Sequence, residues 1–180
     1  MYGGQVRKDK KYVIVDFNIR NRYFESRMIE VKNFILVVGN DYYYPITSKN
    51  SSFEDLGLPY DNKFLDIESD YNYILIYEID KKESTGNMKL KVYNNMNYET
   101  GKSEFVNINL KSIKLNSKQT TQTKKLNDNI IVDKNNFGST ELNFIDYTLI
   151  NNFEYNYELC IKNECSEKTG VIIPNDIINK

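Results

Sequence analysis

The chain has 180 residues, of which 24 are basic and 25 acidic for a formal net charge of −1, and 40% are hydrophobic. That is enough apolar material for one large domain or two small ones, while the balanced charge leaves no basic footprint for nucleic acid and no polybasic patch for a membrane. His, Trp and Ala are absent, which excludes Ser-His-Asp and Cys-His catalysis and imidazole-bound metals and removes the strongest helix former.

Tyr, Ile, Val, Phe and abundant Asn stand in their place, a mixture that favours strands joined by turns. An AT-rich genome also enriches Asn and Lys, but it does not create alternation. Alternation is plain in residues 12–22, where Val13, Val15, Phe17 and Ile19 share one parity and Ile14, Asp16, Asn18 and Arg20 the other. This is the pattern of a half-buried strand. The N-terminus Met-Tyr-Gly-Gly-Gln-Val-Arg lacks the apolar segment of a signal peptide, and no stretch approaches the roughly 20 apolar residues of a membrane span. With a strong strand so close to Met1, the chain reads as a trimmed ectodomain that has lost a strand before this one.

Residues 31–38 are apolar on both parities, as in a strand buried on both faces. Gly39-Asn40-Asp41 then signals a turn into Tyr42-Tyr43-Tyr44-Pro45-Ile46, a hairpin whose second arm ends at Pro45 or lies at an edge. Tyr42, Tyr43 and Tyr44 form an exposed aromatic patch for a partner, or one parity is core and Tyr43 alone is exposed. Residues 47–62 are polar with Phe53, Leu56, Leu58 and Tyr60 scattered through them. They form either a loop pinned by apolar plugs or one helical turn capped at Ser51 or Ser52 and stopped by Gly57. Phe53 joins the candidate partner surface.

Strands are expected over residues 71–79 and 88–93, the second with Lys89 and Lys91 on a solvent face. The next runs from Val106, Ile108 and Leu110 to Ile113 and Leu115 with a change of parity, which a bulge near Lys111-Ser112 would produce. Residues 117–128 are polar and read as a linker. Residues 129–180 hold four short strand candidates, too few for a second sandwich, and read as a small or truncated β-unit.

Within that unit, Cys160-Ile-Lys-Asn-Glu-Cys165 has a sharp geometry. A two-residue turn at Lys162-Asn163 sets Ile161 opposite Glu164 and Cys160 opposite Cys165, with Cα atoms about 4.5 Å apart, within reach of a disulfide. Cys160 and Cys165 are therefore a disulfide pair or two free thiols, and oxidation would imply an extracytoplasmic location. A zinc site is disfavoured by the absence of His.

Asp66, Glu68 and Asp70 alternate in a way that invites calcium, but Tyr71 and Tyr77 stand where an EF-hand loop needs Gly and a bidentate Glu. They read as a solvated strand face. Glu54, Asp55, Asp61 and Asp66 are the carboxylates available for glycoside chemistry, with no spacing that selects a pair. No residue is assigned a catalytic, cofactor-binding or metal-binding role.

The run Lys11-Tyr-Val-Ile-Val-Asp-Phe-Asn-Ile-Arg-Asn21, the turn Gly39-Asn-Asp-Tyr-Tyr-Tyr-Pro45, the Phe53-Glu-Asp-Leu loop, and Tyr73-Ile-Leu-Ile-Tyr-Glu-Ile79 before Lys89-Leu-Lys-Val-Tyr93 together resemble the telokin-like, immunoglobulin-like domains of Gram-positive surface lipoproteins and membrane-anchored proteins. The resemblance covers roughly residues 5–115. Its members usually carry Pro-Gly where this chain has Asp66-Ile-Glu-Ser69, and they begin with one more strand. It implies an extracytoplasmic β-sandwich without assigned activity, anchored through a segment missing here, that binds or spaces a protein or cell-wall partner. The expected architecture is all-β: an immunoglobulin-like antiparallel sandwich over residues 1–116, the linker, then the small β-unit. A carbohydrate-binding or carbohydrate-active sandwich is the alternative, and a cytoplasmic or phage structural protein the second.

Overall fold

The computed structural model describes residues 9–47, 53, 56–97, 99–113, 121–151, 154–161 and 164–171, with backbone only for 96–97 and for the strands after residue 153. Ten strands make up the described chain: β1 Lys10–Asn21, β2 Phe34–Val38, β3 Asp41–Tyr43, β4 Asp70–Asp80, β5 Met88–Asn97, β6 Lys102–Leu110, β7 Thr121–Asn135, β8 Gly138–Ile150, β9 Glu154–Ile161 and β10 Glu164–Val171. They form two antiparallel four-stranded sheets, ordered β4-β1-β8-β7 and β3-β2-β5-β6, and a separate β9-β10 hairpin. The all-β antiparallel sandwich is thus the fold.

The alternation in β1 sets the core. Val13, Val15, Phe17 and Ile19 are fully buried between the sheets, facing Phe34, Leu36 and Val38 of β2 and Leu90 and Val92 of β5 within one apolar cluster. Phe17 lies at its centre, with ring centroids 5.4 Å from Phe34, 5.8 Å from Tyr60 and 5.7 Å from Phe144. The opposite face of β1 is partly roofed: Tyr12, Ile14, Ile74, Ile76 and Ile150 form a second cluster closed by Phe53.

Several expectations are corrected. Residues 121–128 are no linker, since β7 pairs with β8 from Thr121 onward, and β7 and β8 complete the sheet that holds β1. A boundary at residue 116 therefore does not divide the fold. Sheet membership needs little apolar surface on an edge strand like β7, where paired backbone does the holding. The strand thought lost beside β1 is also supplied from within, because β1 pairs with β4 on one side and β8 on the other.

The change of parity expected of a bulge near Lys111-Ser112 is instead the end of a strand, since β6 stops at Leu110. A bulge does occur in β8, where Ile145 is the extra residue as the β1 register passes from Asp16–Asp146 to Phe17–Phe144. One extra residue reverses side-chain parity, so Leu142 and Phe144 point into the core and so do Tyr147 and Leu149. Residues 31–38 also divide: Val31–Asn33 is a 3-10 turn, and β2 alternates buried with half-buried positions instead of burying both faces.

The end of the sandwich is tied by Asn21, which is fully buried. Its Nδ2 donates to the carbonyls of Glu25 at 2.9 Å, Leu65 at 3.1 Å and Asp66 at 3.0 Å, and its Oδ1 accepts from the Tyr23 amide at 3.0 Å. Two loops are thereby fastened to the last residue of β1. Beside them Gly138 is irreplaceable: a Cβ there would lie 2.6 Å from the Arg22 carbonyl. Asn21→Ala leaves buried carbonyls without their donor and is expected to cost about 2–3 kcal/mol, read as a lower urea midpoint at unchanged m-value.

Candidate functional site

The outer face of the β3-β2-β5-β6 sheet carries two of the exposed aromatic side chains, Tyr42 and Tyr44, while Phe24, Phe64, Tyr71 and Phe137 are exposed outside it. The two-residue turn Gly39-Asn40, with Gly39 at φ +61 as a II′-type hairpin requires, aligns Leu36 with Tyr43 and Val37 with Tyr42. Leu36 faces the core, so Tyr43 does too and packs against it, while Tyr42 and Tyr44 are 58% and 57% exposed. This inverts the expectation that Tyr43 alone would be exposed. Burial raises the Tyr43 hydroxyl pKa above its ordinary value, helped by Glu83 and Asp80. Phe53 is also not surface: it is fully buried, its ring 5.3 Å from that of Tyr12.

Three further side chains complete the face: Lys91, already expected on a solvent face, and Tyr93 and Phe105, which were not assigned to a partner surface. Lys91 of β5 lies opposite Ile35 of β2, and its ammonium sits 5.5 Å from the Tyr42 ring centroid and 4.7 Å from that of Phe105. Tyr93 pairs with Phe105 across β5 and β6, their rings edge-to-face at 5.8 Å. Cation–π contacts of this kind contribute about 0.5–1 kcal/mol each where exposed and hold the rings in one orientation. The signal for Lys91 and Tyr93 was their shared parity with Lys89; Phe105 could be added only through the β5-β6 register.

This face opens into a cleft of about 580 Å³ lined by Ile35, Tyr44, Tyr93, Asn94, Ser103 and Phe105 of the sheet and its loops, by Met28, Ile29, Glu30, Lys32 and Asn33, and by Val132 and Asp133 of β7. Glu30 and Lys32 in its wall form an ion pair.

The other expected groups do not gather. Asp61 and Asp66 are exposed and line neither this cleft nor the smaller one beside Lys11; Glu54 and Asp55 lie outside the described residues. Asp66 begins a turn closed by the Ser69 amide, not a strand face, and Asp70 binds Arg20, whose Nε donates to its Oδ2 at 2.8 Å. Among the described residues no group of His, Cys, Asp and Glu could hold a metal ion. The β9-β10 register sets Cys160 opposite Cys165 and Ile161 opposite Glu164; the cysteine side chains lie outside the described ones.

One titratable cluster was not foreseen. On the outer face of the other sheet, Asp16 of β1 aligns with Asp146 of β8, and Asp146 with Lys125 of β7, whose Nζ donates to Asp146 Oδ2 at 2.8 Å. Burial, then the facing Asp146 carboxyl, pushes Asp16 up to about 7, against the pull of Lys125. On its β4 side Asp16 meets Ile74, which carries no charge.

No family model, no curated protein and no solved structure matches the chain.

The Asp16 carboxyl gives a pH dependence with a definite sign. A raised folded-state pKa means that the folded chain holds this proton more tightly than the unfolded one. Its contribution is therefore complete below the ordinary carboxylate pKa of 3.8 and is lost as pH rises through about 7. Half-exposure screens the effect, leaving on the order of 1 kcal/mol. Urea midpoints of the wild type are expected to fall relative to Asp16→Asn between pH 4 and 8; parallel profiles would refute the assignment.

Proposed function

We propose that this chain is a non-enzymatic interaction module of the cell envelope, an immunoglobulin-like sandwich of the telokin-like kind that takes a protein or cell-wall partner on the outer face of its β3-β2-β5-β6 sheet. The observation that carries the reading is Lys91 held between the rings of Tyr42 and Phe105, with Tyr44 and Tyr93 beside them. Exposed rings cost hydration free energy that a free surface does not recover, and amphipathic aromatics fixed in place are the residues from which binding hot spots are made.

Strand order supports the immunoglobulin-like reading. In that scheme strands A, B, E and D share one sheet and C, F and G the other, with C′ added beside C. The order β4-β1 answers to E–B, and β3-β2-β5-β6 to C′–C–F–G. The place beside B that strand A holds is taken here by β8. The family's Pro-Gly turn is replaced by a turn in which Glu68 adopts φ +54, the left-handed conformation that Gly otherwise supplies. An envelope location is supported by the register that puts Cys160 opposite Cys165, and a binding role by the outward, separated Asp61 and Asp66.

The purified chain is expected to sediment with isolated Gram-positive cell envelopes, and the double variant Tyr42→Ala, Tyr44→Ala to weaken that at least tenfold. Both side chains are exposed, so the fold is spared; equal sedimentation of the variant would remove this face from the proposal. For the location, mass measurement of natively sourced protein after thiol blocking is expected to show no label on Cys160 or Cys165. Two blocked thiols would count against the envelope.

A further inference from the structure

We infer that the cleft at the edge of the aromatic face binds an uncharged glycan, an inference that rests on reading this face as the binding surface. A pyranose presents an apolar C–H face and a rim of hydroxyls that both donate and accept. The cleft offers the complement of each: ring faces and edges from Tyr44, Tyr93 and Phe105, and beside them Asn33, Asn94 and Ser103, whose amides and hydroxyl likewise do both. Its volume of about 580 Å³ lies within the range of small-ligand sites, and it is open to solvent and not an enclosed cavity.

Charge narrows the class. Glu30 is neutralised by Lys32, which leaves Asp133 as the one unbalanced formal charge among the lining residues. No positive field is present to draw an anionic polymer. The Lys91 ammonium is turned to the Tyr42 and Phe105 rings, where it orders the platform before any ligand arrives, and ordering in advance lowers the cost of binding.

Of the strands that line the cleft, β2 and β5 are paired on both sides, whereas β6 and β7 are sheet edges that offer main-chain groups for strand addition. A peptide added there would bind through its backbone and be indifferent to Tyr44, whereas a glycan stacked on the rings depends on it.

The test is a titration of the full chain, followed by NMR and calorimetry, with the neutral oligosaccharides cellotetraose, chitotetraose, mannotetraose and maltotetraose, and with tetragalacturonate as the acidic comparison. At least one neutral sugar is expected to bind saturably, to shift the ring resonances of Tyr44, Tyr93 and Phe105, and to bind at least tenfold more weakly to Tyr44→Ala and to Phe105→Ala. Tyr44 is exposed, so its variant keeps the test valid if Phe105→Ala unfolds. No neutral sugar binding, binding that both variants leave unchanged, or tighter binding of the acidic sugar would overturn the inference. Envelope sedimentation separates the two levels of argument. If it persists while every sugar fails, the glycan falls and the binding face stands; if it is absent as well, both fall.

Discussion

The double pairing of β1 is the constraint on which the rest of the structure depends. Its backbone is bonded to β4 from Lys10 to Arg20 and to β8 from Tyr12 to Asn21, so the strand has no freedom to slide or rotate. A slip of one residue would turn Val13, Val15, Phe17 and Ile19 to the outside and bring Asp16 and Arg20 into the core. Everything packed on Phe17 is placed by that register. So is the adjustment in β8, where Ile145 is taken up as an extra residue and both halves of the strand keep their apolar side chains inward.

The two sheets then divide their outer faces differently. Around β1 and β4 the outer face is apolar and is covered by Phe53 and Ile46, a small second core that uses a loop as its lid. Asp16 sits beside that apolar patch in the same strand, which is why burial dominates its proton affinity. The outer face of the β3-β2-β5-β6 sheet sets rings and lysines around the half-buried Ile35 and Val37 of β2. Rings with a cation above them tolerate water on their free side, so this face remains stable without a lid and available to a ligand.

The apolar parity of β1 was legible because period-two alternation needs only local sequence. The same logic failed at Tyr42 to Tyr44, where alternation was evident but its phase was not. Phase comes from pairing Tyr43 with Leu36, and residues 31–38 are apolar on both parities, so no local pattern marks which side is core. The second half of β7 was legible as the strand candidate Ile130-Ile131-Val132, but its first half was missed because the residues before Ile130 are mostly polar; that half is held by pairing with β8 and by Leu126, neither of which gives periodicity. Phe53 misled for the converse reason, being a buried ring in a polar stretch whose counterpart, Tyr12, lies far away in sequence. The Asp16–Asp146–Lys125 row and the Tyr93–Phe105 contact join strands distant or out of phase in the chain, and become visible only when the sheets are assembled.

Completing the sheet with β8 has a consequence for synthesis. Tyr12 must wait for Ile150, and at ribosomal rates of about 5–20 residues per second one edge of β1 emerges roughly 7–30 s before its partner. That edge belongs to an apolar, β-branched segment of the kind that recruits other chains. A gene cut at residue 116, where composition suggests a boundary, would make that exposure permanent. β8, made only after that point, is what separates a nascent chain prone to association from a closed fold.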